Sequence, residues 1–363
     1  MDNFAFVVHP LTAKDLSRKF SFTKSWPDGF VEGIMRYIPP FKVSDISGVS
    51  SEYNSVDGWF VGCPLTSRQM TELPEKYVIN KIIKTGKVAE KLGAKILGLG
   101  AFTSVVGDAG ITVARNLNIA VTSGNSYTVA TALEGTRQAA KLLGINMEQA
   151  NVVVLGATGS IGAACAQILS REVRYLTLVA RDEAKLEKVA QQIYRNVGLA
   201  VKVTANTKAA LRVADIVIAV TSAVDIIIEP EDLKTGAVVC DVARPRNVSK
   251  KVSEIRDDVL VIEGGVVEVP GNVDFKLNFG FPPQTAYACM AETMILALEK
   301  RYENFTLGRE LTVKQIQTIE SLAEKHGFKL AGFRSFDRPV TAEKIESIRD
   351  NIARRKGKKE VVG

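Results

Sequence analysis

Residues 151–169, NVVVLGATGSIGAACAQIL, constrain this chain more than any other stretch, because they join a buried strand to a helix through a glycine-rich turn. Val152, Val153, Val154 and Leu155 form a short apolar run of the kind buried on both faces of a parallel sheet. From Ile161 to Leu169 the apolar spacing becomes helical. Between them Gly156, Gly159 and Gly162 stand three apart, so the backbone can turn sharply, approach a pyrophosphate without a Cβ in the way, and pack helix on strand. Thr158, Ser160 and Ile161 complete the loop, and the free N–H groups of the helix start would face the phosphates. The spacing is G-x-x-G-x-x-G, and a lone motif of this sort is a weak signal. Context strengthens it. A second apolar run, residues 175–180 (YLTLVA), follows the helix as a βαβ unit requires. The bland alternative is an ordinary strand–helix turn.

The residue after that second run bears on which dinucleotide binds. An acidic side chain there accepts hydrogen bonds from the ribose hydroxyls of NAD, whereas arginine suits the 2′-phosphate of NADP. This chain has Ala180 and then Arg181, which predicts NADP(H), with a solvated surface arginine as the alternative and Asp182 next in line.

With 363 residues and 46% apolar content, the chain has material for two domain cores. No apolar run approaches the roughly 20 residues of a membrane span, and the start, MDNFAFVVHP, lacks the plan of a signal peptide. Cys63, Cys165, Cys240 and Cys289 are widely spread, which indicates neither a disulfide framework nor a zinc site. A cytoplasmic protein without a metal is the expectation. The net charge of +7 draws +3 from the last fourteen residues, most simply a solvated helix end. No aromatic–basic interleaving supports nucleic-acid binding. With only His9 and His326 present, mechanisms built on clustered histidines are not expected.

Along the chain, residues 3–8 alternate like a strand and 13–20 read as a short helix capped by Thr12. Residues 21–61 look irregular, with short β-like pieces, before a strand at 59–63 (WFVGC). A helix over about 74–92 leads to a strand at 94–99 and the loop GAFTS, and a further strand ending at Val121 leads to the loop TSGNS. Both loops lie at the carboxyl ends of expected strands, where open α/β sheets place ligands, so Thr103, Ser104 and Asn125 are candidates for a substrate cleft. Service as helix caps is the competing reading. A long helix at 127–143 then links two domains. Strands at 199–204, 214–220, 237–241 and 259–263 join the first two to make a six-stranded, doubly wound sheet. Thr221, Ser222 and Ala223, ending a central strand, are expected near the nicotinamide half of the cofactor, with Gly264 and Gly265 close by. Helices at 284–301 and 313–326 are expected to return to the first domain, and one more charged helix forms an appendage. The fold class is therefore α/β: an N-terminal α/β substrate domain (1–145), a Rossmann doubly wound parallel sheet in the C-terminal half (146–280), returning helices (281–333) and a charged tail (334–363).

Cys289 carries the most chemical promise, because a cysteine near a helix N-terminus has its thiolate favoured by the helix dipole. Cysteine is more often a small buried apolar residue, however, and Cys165 and Cys240 read as core. Cys63 is open. Glu268 and Glu292 are potential acid–base groups with no evident partner, and each reads more simply as a surface or capping carboxylate.

Together LGAFTS (99–104), TSGNSYTVA (122–130), VLGATGSIG (154–162), EGGVVE (263–268), ACMAE (288–292) and ENFTLGRE (303–310) resemble the long-chain fatty acyl-carrier-protein reductases best known from cyanobacteria. The resemblance spans about residues 4–328. It implies a two-domain architecture related to shikimate dehydrogenases, and reduction of acyl-carrier-protein or acyl-CoA thioesters to fatty aldehydes with NADPH. It further implies that Cys289, within ACMAE, is the acylated residue, that 156–162 is the phosphate loop, and that Arg181 follows the second strand. Tyr127 stands where cyanobacterial members are expected to have histidine, PPQTAY before Cys289 is unlike theirs, and the tail from Arg334 has no counterpart. A homo-oligomer is compatible with this architecture. Two other readings remain open. One is a shikimate-dehydrogenase-like oxidoreductase acting on a small alcohol or ketone, for which Lys84 and Asp108 would supply the Lys–Asp pair. The other is a non-catalytic cofactor-binding protein.

Overall fold

A computed structural model describes residues 3–15, 26–223, 226–278 and 280–362. They form two compact units, one of residues 1–127 and 267–329 and the other of residues 128–266 and 330–363.

The second unit is built on the expected six-stranded parallel sheet. Its strands are β6 (Asn151–Leu155), β7 (Tyr175–Val179), β8 (Lys202–Thr204), β9 (Ile216–Ala219), β10 (Val238–Asp241) and β11 (Leu260–Glu263). Their order is β11-β10-β9-β6-β7-β8, so the winding direction reverses between β6 and β9. Register brings Val153, Val217, Val239 and Val261 into one row across four strands. That row faces a core with Leu155, Val179 and Ala219, while Val152, Val154, Ile216 and Ile218 are buried on the other face. Burial on both faces explains why these strands read as apolar runs rather than alternating ones. The tail belongs to this unit: Arg246 bonds both Glu263 and Asp337, and within the helix Ala342–Val362 Ile348 is buried and Asn351 donates to the carbonyl of Asp257.

The first unit holds a second six-stranded sheet. β3 (Ser55–Gly62), β1 (Asn3–Val8), β4 (Ile96–Gly98) and β5 (Ala120–Thr122) run parallel, and β2 (Phe41–Ser50) pairs antiparallel with β3. The strand Gly271–Asp274 closes the edge beside β2. Ala5, Val7, Val61, Leu97, Leu99 and Val121 pack against Val78 and Ile82 of the helix Glu75–Leu92. The helix Ala288–Leu298 lies on β1, β3 and β4 and buries ten of its eleven residues.

Two expectations are corrected. Of the stretch expected to be irregular over 21–61, residues 26–61 contain a helix (Asp28–Met35) and the long β2–β3 hairpin, and residues 21–25 fall outside the described residues. Register shifts between Lys42 and Ser44 and between Ile46 and Val49 break the period-two pattern that would have revealed β2. The helix expected over 284–301 begins only at Ala288, because Gln284 has φ +62° and residues 285–287 form a strand, Thr285–Tyr287. Of the helix expected over 13–20, residues 13–15 are helical and the rest falls outside the described residues.

Candidate functional site

In the second unit the glycine turn has the shape its spacing requires. β6 ends at Leu155, Gly156 takes φ +90°, and the N–H groups of Gly156 and Ala157 both donate to the carbonyl of Val179 at the end of β7. A Cβ on Gly156 would lie 2.9 Å from Val220 O, and one on Gly162 would lie 2.3 Å from Gly156 O. Neither glycine tolerates a side chain. The helix Ser160–Leu169 starts after Gly159 with no side-chain cap, and its first backbone bond runs from Ala163 N–H to Gly159 O. The N–H groups of Ser160, Ile161 and Gly162 therefore precede the ladder, at the positive end of the helix. With Thr158 and Gly159 on the rim, this is a cradle that fits a pyrophosphate.

Beyond β7, Arg181 is exposed, whereas Asp182 is committed to the next helix: it accepts from Lys185 N–H at 3.0 Å and pairs with the Lys185 ammonium, which holds its carboxyl below the usual range. At the end of β9 the Thr221 N–H and Oγ1 both donate to Asn247 Oδ1, and the Ala223 N–H donates to Thr221 Oγ1, with Ser222 between them. Asn247 is fully buried and is itself held by Asp241, which accepts from the N–H groups of Ala243, Asn247 and Val248. Burial nevertheless pushes the Asp241 carboxyl up. At the end of β11, Gly265 takes φ +84°, and the space beside Gly264 is filled by Val242 and Cys240. Asn247 and Asp241 had no motif in the sequence; a buried aspartate ending an apolar strand was the available signal.

In the first unit, Cys289 is the second residue of the helix Ala288–Leu298 and is half-buried. Its surroundings differ from those of Cys63, Cys165 and Cys240, which are buried and whose thiols burial pushes up, to about 12 for Cys63 and Cys240. The turn after β5 packs directly on Cys289. Gly124 has φ +75°, and a Cβ there would lie 2.4 Å from both Cα and Cβ of Cys289. One helical turn on, Glu292 is wholly buried. Thr122 Oγ1 and Thr306 Oγ1 donate to its Oε1 at 2.5 and 2.8 Å, and Ser126 Oγ and the Tyr127 N–H donate to its Oε2 at 2.6 and 2.9 Å. The expectation of a partnerless surface or capping carboxylate is overturned. Burying a carboxylate costs several kcal/mol unless its lone pairs are filled, and here they are. Glu292 is the one charge in the helix ACMAETMILAL, and that lone charge was the legible signal.

The other candidates of this unit are placed as follows. Thr103 Oγ1 donates to Gly100 O and accepts from Gly100 N–H, and Ser104 Oγ donates to Ala101 O, so both hydroxyls brace their own turn. Asn125, nearly buried, opens the helix Asn125–Leu142. Lys84 is exposed, while Asp108 accepts from the N–H and hydroxyl of Thr112; among the described residues the two form no ion pair. Among the described residues no group of three or more His, Cys, Asp or Glu side chains could hold a metal, and no helix is long and apolar enough to cross a membrane.

Residues 137–263 match the shikimate/quinate 5-dehydrogenase family. Among curated proteins, the aminotransferase PigE of a Serratia species is 31% identical over 325 residues, which cover 88% of this chain and 37% of that protein. The chain thus spans little more than a third of that relative's length. A long-chain acyl-[acyl-carrier-protein] reductase of Synechococcus elongatus is 29% identical over 332 residues, covering 87% of this chain and 94% of that protein. Among solved structures, the A chain of dipicolinate synthase from Bacillus subtilis gives a TM-score of 0.33 at 15% identity, over 72% of this chain and 88% of that one. The parallel sheet and its glycine cradle form a Rossmann unit suited to a dinucleotide, and residues 137–263 within it are similar to the shikimate/quinate 5-dehydrogenase family.

Proposed function

We propose that the protein is an NADPH-dependent reductase that converts a fatty acyl thioester, carried by acyl-carrier protein or coenzyme A, to the aldehyde through an acyl group on Cys289. The observation that carries this reading is the placement of Cys289, half-buried at a helix start while the other three cysteines are sealed in cores. The Synechococcus relative, similar over nearly its whole length, supports the same substrate class. In the first step the Cys289 sulfur bonds to the thioester carbonyl carbon, the carbon–sulfur bond to the carrier breaks, and the departing thiolate takes the proton that Cys289 gave up. The first-turn N–H groups of the helix Ala288–Leu298 favour the thiolate form. When bound, NADPH supplies the hydride that converts the acyl group to the aldehyde. On this chain's side, residues 156–162 hold the pyrophosphate, Arg181 pairs with the 2′-phosphate, and Thr221, Ser222, Ala223, Gly264 and Gly265 shape the nicotinamide end. Asn125, at the start of the helix Asn125–Leu142, is the candidate left for the substrate cleft, because the Thr103 and Ser104 hydroxyls are spent on their own turn.

A second reading, oxidation or reduction of a small polar alcohol or ketone, is favoured by the family match. That match covers residues 137–263, the cofactor-binding part, and Asp108, needed for a Lys–Asp pair, is spent capping a helix. Turnover of a long-chain acyl thioester with NADPH, compared between wild type and Cys289→Ser, separates the two. Loss of roughly three orders of magnitude or more is expected for the covalent route. Unchanged turnover of the thioester would remove the covalent route, and turnover only of small polar alcohols or ketones would establish the second reading.

A further inference from the structure

The Glu292 carboxylate does more than satisfy a buried network, because its two oxygens grip the two ends of one turn. Oε1 holds Thr122, Oε2 holds Ser126 and the Tyr127 N–H, and between them Gly124 presses on Cys289. Glu292 and Cys289 share a helix, three residues apart, so the contacts close a loop: Cys289 to helix, helix to Glu292, Glu292 to turn, turn to Cys289. Thr306 fastens the assembly from a third segment. Its hydroxyl donates to Oε1, its N–H donates to Thr122 Oγ1, and its carbonyl accepts from the Ser123 N–H.

A carboxylate offers about four lone-pair positions, and four donors occupy those of Glu292. No lone pair is left to take a proton from substrate or from Cys289, so the geometry argues against a general base. Building on the reading of Cys289 as the acylated residue, we propose that Glu292 is a positioning residue: it locks the 122–127 turn against the first turn of the helix and so fixes the Cys289 sulfur for attack on a thioester carbonyl. Nucleophilic attack depends steeply on such placement, and an error of about 1 Å costs on the order of 100-fold in rate.

The test uses Glu292→Gln in the full chain. Its amide can still accept from the Tyr127 N–H, but its NH2 then faces Thr122 Oγ1 and Thr306 Oγ1, whose hydroxyl protons both point at that atom and must turn away. Single-turnover acylation by a long-chain acyl-CoA, without NADPH, is followed by intact-protein mass spectrometry, and alkylation by iodoacetamide is followed in parallel. The expected result is a saturating acylation rate lowered roughly 10- to 100-fold, with an unchanged half-saturating acyl-CoA concentration, an unchanged final amplitude and an alkylation rate within about threefold of wild type. Thr306→Val, which removes a single donor, should show a smaller loss of the same kind, and Thr306→Ser should restore the rate. Wild-type acylation rates in both Glu292→Gln and Thr306→Val would overturn the proposal. So would equal losses of acylation and alkylation, which would mark a general loss of thiol access. A wild type that never acylates would instead remove the premise about Cys289.

Discussion

The turns at Gly156 and Gly124 are alike in plan and opposite in use. Each follows a parallel strand, each places a glycine at positive φ, and a side-chain-uncapped helix start is associated with each. At Gly156 the missing Cβ leaves the turn close to Val220, and the first N–H groups of the following helix have no ladder partners, which suits an anionic group brought from outside. At Gly124 the space is taken by Cys289, so the turn serves a residue the chain already owns. One turn is a receptacle and the other a brace. Mutations should therefore separate them cleanly.

The largest effect is expected at the receptacle. Gly162→Val would drive a side chain into the Gly156 carbonyl and should cost several kcal/mol of stability together with cofactor binding, to be measured by thermal unfolding and nucleotide titration. Gly124→Ala should act on the other side alone. A positive φ costs alanine about 1 kcal/mol, and its Cβ would collide with Cys289, so acylation should fall at least tenfold while nucleotide affinity stays at the wild-type value. Loss of nucleotide affinity in Gly124→Ala would break the distinction. Arg181→Ala should weaken NADPH roughly 10- to 100-fold and leave NADH unchanged, as expected for the loss of a charged hydrogen bond worth about 1.5–3 kcal/mol. Equal weakening of both nucleotides would refute the 2′-phosphate contact.

Acid supplies the mildest discrimination, because both histidines belong to the first unit. Burial holds His9 neutral, lowering its pKa from 6.5 to about 4, despite the bond between its Nδ1 and the Pro10 carbonyl at 3.0 Å. The unfolded chain takes up a proton near 6.5 and the folded chain only near 4, so stability is lost as pH falls through that window and is whole above it. The loss is at most about 3 kcal/mol. In His9→Phe, the unfolding free energy followed from pH 7 to pH 4.5 should lose this slope; retention of the full slope would assign it to other groups.

What could be read from the sequence divides along the same line. The receptacle is local: strand, three glycines and helix lie within nineteen residues, and each residue type reports its own backbone or packing demand. In the brace the 122–127 turn meets Cys289 and Glu292 across 165 to 170 residues, and no local pattern encodes that Gly124 meets Cys289 or that Glu292 meets Thr122. Its one trace was an acidic residue inside an apolar helix. Thr103 and Ser104 illustrate the converse, since loop hydroxyls at strand ends suit ligand contact and turn bracing equally well, and both are engaged in their own turn. The β2 strand lacks a legible alternation because its bulges shift the pattern midway, and the docking of the tail depends on Asp337 meeting Glu263 and Arg246 across 74 and 91 residues.

The role of Cys289 as acyl carrier is tested most directly by intact-protein mass spectrometry after incubation with a long-chain acyl thioester in the absence of NADPH. Wild type should gain the mass of one acyl group, Cys289→Ser should gain none, and added NADPH should return the wild-type mass. An unmodified wild type that still binds NADPH, or an adduct that survives in Cys289→Ser, would contradict it.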